Sequence, residues 1–145
     1  MNWPWPIMLG VAVLLAGGGP ARAGCGVQIA ALSFGVIDTA RTNQATGKVT
    51  IRCDEPQTVQ VGLSAGGGGV ERRLAGPGRD VIPYFVFAAP GGMLPWGDGA
   101  VIGPPVAATL DGSAAVDLPA YGVIPPVPGT QPGTYADSLL VTIIF

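Results

Sequence analysis

Residues 133–145 read GTYADSLLVTIIF, a Gly-x-Tyr-x-Asp lead followed by an apolar run that ends on Phe145. Leu139, Val141, Ile143 and Phe145 fall on one face at period two, while Leu140, Thr142 and Ile144 fall on the other. That alternation is the signature of a β-strand. A strand at a sheet edge normally closes on a charge, a proline or a polar turn, because an unpaired apolar edge recruits other chains. A complete sandwich would run one more strand beside this one. Either an earlier segment closes the sheet, or the domain is one strand short. A segment of the chain's own backbone in that place would remove the need for a partner.

Working outward, the same period recurs. In GKVTIRC the apolar set is Val49, Ile51 and Cys53, and in TVQVGL it is Val59, Val61 and Leu63. In CGVQIAAL it is Cys25, Val27 and Ile29. VIPYFVFAA is apolar on both faces, with Pro83 limiting pairing near its start. Shorter candidate strands are PVAATL, AAVDLPA and YGVIP, and the four glycines at 66–69 form a turn. No window keeps a helical period. Six or seven short strands between turns in a chain of this length predict an all-β, immunoglobulin-like Greek-key sandwich, incomplete if its last strand is missing.

The amino-terminal end is of another kind. Ile7–Ala16, IMLGVAVLLA, is too short for a membrane span of about 20 residues. GGGP and then ARA follow it, the layout of a secretory signal peptide over residues 1–23 with cleavage after Ala23. The n-region MNWPWP carries no Lys or Arg. AGC at 23–25 also resembles the end of a lipoprotein signal, but Arg22 stands where Leu is wanted. Processing would leave residues 24–145 as one domain with no transmembrane segment. Its charge would be about −3, from the nine acidic residues against the six basic ones that remain without Arg22. With no basic patch, nucleic acid is excluded as a partner. In an exported chain the two cysteines, Cys25 and Cys53, read as one disulfide between the first two strands.

Four stretches resemble a known family. They are Cys25 with FGVID at 34–38, ATGKVTIRC at 45–53, ERRLAG…IPYFVF…WGDG across 71–99, and YGVIPP…TQPGTYADSLLVTIIF from Tyr121 onward. Together they are similar to the spore coat protein U-like domain, a fold shared with pilins of the archaic chaperone–usher pathway. The chain departs from that pattern at Pro83 and at Val86-Phe87. The resemblance implies a subunit that lacks its last strand and receives one from elsewhere, first from a periplasmic chaperone and then from a neighbouring pilin subunit after passage through an outer-membrane usher. It also implies the Cys25–Cys53 bridge, and export through the periplasm to the surface or pilus of a Gram-negative bacterium. The groove for the incoming strand is expected along Val27, Ile29, Leu139, Val141, Ile143 and Phe145.

A shaft subunit needs an alternating donor segment ahead of its first strand. Cleavage after Ala23 leaves Gly24 alone before Cys25, and even GGGPARAG carries no bulky alternating residues. The expectation is therefore a structural or adhesive tip subunit that accepts a strand without donating one. The alternative is a stand-alone secreted coat or matrix protein that does not polymerise.

Catalytic chemistry has little to work with. The chain has no histidine, which removes the usual general base and the commonest zinc ligand. The cysteines are committed, and the carboxylates are scattered. No enzyme activity, cofactor or metal is expected. Met93, Leu94 and Trp96 in GGMLPWGDG form a candidate adhesive loop, with a core-capping role for Trp96 as the plainer reading. GVIPPVPG is a second apolar loop. Tyr135 and Asp137 are expected to set the turn into the last strand, and Arg72 and Arg73 to be solvated at the surface.

Overall fold

The computed structural model describes the backbone of residues 2–3 and 8–16 and the whole of residues 24–145. The expected cleavage position at Ala23 lies outside the described residues. No α-helix occurs among them; one 3-10 turn spans Gly66–Gly68. The strands are β1 (Asn2–Trp3), β2 (Met8–Ala16), β3 (Cys25–Ala30), β4 (Ile37–Asp38), β5 (Asn43–Cys53), β6 (Pro56–Leu63), β7 (Arg73–Ala75), β8 (Val81–Pro83), β9 (Phe85–Ala89), β10 (Met93–Pro95), β11 (Val106–Asp111), β12 (Val116–Ile124) and β13 (Ala136–Ile144).

β1 and β4 pair with each other as a separate two-stranded sheet, and the other strands form the two sheets of a sandwich. One has the order β10-β9-β12-β5-β3, all antiparallel. The other follows β11-β6-β13-β7-β8, with β2 added along β13. Alternation decides which side chains meet between them. Val49, Ile51 and Cys53 from β5 are buried, as are Val59, Val61 and Leu63 from β6 and Leu139, Val141 and Ile143 from β13. Their polar neighbours along β5, Lys48 and Thr50, instead bond Asp117 of β12 on the outer face. The all-β immunoglobulin-like sandwich read from the sequence is the architecture found.

Cys25 and Cys53 are register partners at one end of β3 and β5, and their sulfurs are bonded. The stretch VIPYFVFAA is divided rather than continuous. β8 pairs with β7 in the second sheet, while β9 pairs with β10 and β12 in the first. The chain therefore changes sheets at Tyr84. Ile82, Tyr84 and Val86 are buried on the way across, which accounts for apolar residues that no single strand face would need. AAVDLPA and YGVIP, read as separate strands, run together as β12.

The edges of β13 answer the question its sequence raises. Val141–Ile144 pair with β6 and Ala136 with β7, antiparallel, along one edge. Those same residues also pair with β2, so β2 must lie on the other edge. There Met8–Ala16 runs parallel to β13 through nine consecutive partners, from Ala136↔Met8 to Ile144↔Ala16. No strand within 24–145 occupies that edge. The segment that closes the sheet is the apolar run read as the core of a leader.

Candidate functional site: the open edge of the last strand

The site lies beside the edge of β13 that β2 covers, where β3, the edge strand of the first sheet, shares a cavity with β13. Among the described residues β3 pairs with β5 alone, and it alternates half-buried and exposed residues. Its Val27 and Ile29 pack against the core without being enclosed by it. Across the gap stand Leu139, Val141 and Ile143, which are fully buried. Ile29, Leu139 and Val141 meet around a small cavity of about 30 Å³, with Leu32, Val49 and Val86 also in its wall. Val27 and Ile143 lie outside that wall. Phe145, expected on the same face, falls beyond the end of β13 and is 51% exposed. The β2 register sets Val11, Val13 and Leu15 opposite Leu139, Val141 and Ile143.

A polar framework fixes the start of β13. Tyr84 Oη donates to Asp137 Oδ2 at 2.6 Å, while the Gly67 and Ser138 amides donate to Oδ1. Ser64 is clamped to the same strand: its amide donates to Leu140 O, and its hydroxyl accepts from the Leu140 amide. Tyr135 is buried, and its hydroxyl donates to Gln131 O at 2.7 Å. The ring of Tyr135 lies where Gly76 has no side chain; a Cβ there would overlap it. Burial, then the bond to Asp137, pushes the Tyr84 hydroxyl well above its ordinary range.

Two expectations about single residues are corrected. Arg72, read as a solvated surface residue, is only 2% exposed. Its Nε donates to Ser64 O at 3.0 Å, and its Nη2 donates to Leu63 O at 3.1 Å and Trp96 O at 2.6 Å. It sits there because the β6 end and the stretch after β10 present carbonyls to one point. Trp96, included in the candidate adhesive loop, is fully buried and donates from Nε1 to Val61 O at 2.8 Å, the core-capping role that was its plainer reading. Met93 and Leu94 of that loop are exposed, on the edge strand β10. In the second apolar loop Ile124 is buried and Val127 packs on the core. Arg73 is at the surface, paired with Glu71 at 2.6 Å.

No group of three or more His, Cys, Asp or Glu residues able to hold a metal occurs among the described residues. No helix among them is long and apolar enough to cross a membrane. The arrangement offers shape and backbone pairing.

Comparison with known proteins bears on what that shape is for. The family model described as Spore Coat Protein U domain matches residues 19–142. Protein U of Myxococcus xanthus is 26% identical over 144 residues, covering 88% of this chain and 79% of that protein. Among solved structures, a similar fold occurs in the chaperone–tip adhesion subunit pre-assembly complex CsuC–CsuE, from archaic chaperone–usher Csu pili of Acinetobacter baumannii. The TM-score is 0.53 at 19% identity, over 83% of this chain and 40% of the matched one. This chain thus spans less than half the length of that structural relative.

Proposed function

This chain belongs to the Spore Coat Protein U domain family, and we propose that it is a non-enzymatic pilus subunit whose open edge accepts a strand from another polypeptide. One observation carries the reading. Within residues 24–145 β13 has partners on one edge only, and the other is covered by Met8–Ala16. That segment has the composition of a leader, and its removal would uncover Leu139, Val141 and Ile143.

An incoming strand would contribute four or five large apolar side chains, each worth about 1.5 to 3 kcal/mol on burial, together with a backbone ladder. A periplasmic chaperone would supply it first and a neighbouring subunit later, with an outer-membrane usher handling the exchange. Export would follow a signal peptide cleaved after Ala23. GGGPARAG ahead of Cys25 offers nothing to fill a neighbour's slot, which supports a place at the fibre tip.

A second reading has its own observation. With Met8–Ala16 retained, the chain fills its own edge and is a stand-alone secreted or matrix protein. Coexpression with a matching chaperone, followed by native gels and intact mass, separates the two. A one-to-one complex of a chain beginning at Gly24 supports the subunit. A chain that keeps residues 8–16, or a processed chain that folds as a monomer unaided, overturns it.

A further inference from the structure

A second cavity, about 290 Å³, opens among residues of β8, β9, β10 and two loops, and no residue of β3 or β13 lines it. Its walls are Pro83, Tyr84, Phe85, Phe87 and Ile102, with Arg72 among them. Phe85 and Phe87 stack on one another, ring centroids 6.3 Å apart. Phe85 is 48% exposed, so the aromatic wall is reachable from solvent. The volume is at the lower end of the range for small-molecule sites, which join apolar walls to one or two fixed polar groups.

Arg72 supplies the polar group. It is buried, and its Nε and Nη2 are spent on three carbonyls, whereas Nη1 has no bonded partner among the described residues. No carboxylate among them lies within ion-pair distance of the guanidinium. Asp137 is engaged by Tyr84, and Glu71, also in the cavity wall, is paired with Arg73. Asp137 and Asp98 act on Arg72 only through space. A buried cation bonded to carbonyls and facing its nearest carboxylates only through space has its charge partly compensated, a costly state that a bound anion would relieve.

We infer that this cavity is a binding site for a small apolar carboxylate, its tail against Phe85 and Phe87 and its carboxylate taken by Arg72. The inference does not rest on the edge of β13: Val86 lines both cavities, but no residue of β3 or β13 lines this one.

The exported protein is titrated with octanoate and, in parallel, with octanol, following intrinsic fluorescence and thermal unfolding. Octanoate is expected to bind saturably, raise the Tm and bind about tenfold more tightly than octanol, the difference a charge-assisted bond confers. Arg72→Met should erase the preference for the acid. Because that variant also loses three carbonyl bonds and is at risk of not folding, Ile102→Trp provides the second arm. It blocks the cavity from a half-buried rim position and should abolish binding while the far-ultraviolet spectrum is kept. No saturable binding, equal affinity for acid and alcohol, or octanoate binding unchanged in Ile102→Trp would each overturn the assignment; the last would place the ligand in the slot along β13.

Discussion

Arg72 joins the end of β6 to the stretch after β10 through three carbonyls, and nothing in its local sequence announces this. An Arg-Arg pair between a glycine turn and a short strand reads as surface. Only the convergence of Leu63, Ser64 and Trp96 carbonyls on one point makes it a core residue. Arg72→Ala is expected to cost about 3 kcal/mol in urea unfolding, since buried acceptors lose a charged donor. Arg72→Lys should recover less than half, a single ammonium lacking the planar fork. Tyr84 gives a pH signature. Burial first, and then Asp137, raise its hydroxyl above the ordinary value of 10. The folded chain therefore keeps a proton that the unfolded chain sheds above pH 10. Stability is intact below that pH and falls as pH rises past it. Tyr84→Phe should flatten part of this alkaline slope in unfolding curves taken from pH 8 to 11. Tyr135, raised by burial as well, retains a share of it.

At the scale of elements, the bridge holds an edge strand to its one partner among the described residues. β3 pairs with β5 alone, and the two cysteines sit opposite each other where the strands meet. Replacing both with Ser should lower stability by about 3 to 4 kcal/mol on the chain-entropy account of a loop with a sequence separation of 28. Amide exchange should then speed up along Val27–Ala30 before it does along β12. The strands that were legible in the sequence, β3, β5, β6, β11 and β13, share one property. Each has a buried face and a solvent face, so composition alternates and turn residues bound the run. The illegible elements lack that contrast. β8 and β9 are three and five residues long, and the chain crosses between sheets at Tyr84, so both faces are apolar and the break has no periodic mark. Ile29, Leu139 and Val141, which obey the alternation, line one small cavity. Phe145 obeys it in sequence as well, but the strand ends before it.

For the whole molecule, stability depends on what pairs with the second edge of β13, and in this structure that is Met8–Ala16. Met8–Ala16 pairs with every residue of β13, so the sandwich with that segment present and the sandwich without it are two different folding problems. Without it, Leu139, Val141 and Ile143 lose cover on one side and nine residues of backbone lose a ladder, and exposed apolar edges aggregate. A peptide with the sequence of residues 8–16, flanked by lysines for solubility, should therefore bind the exported chain once residues 1–23 are gone. It should raise the Tm in proportion to ln(1 + [peptide]/Kd), as expected for a ligand that binds only the native state. Placing a charge in the middle of the peptide, at the position of Val13 opposite Val141, should abolish the shift, whereas the same change at a lysine flank should not. A processed chain whose Tm ignores the peptide, yet which melts cooperatively alone, would mean that the edge of β13 needs no partner at all.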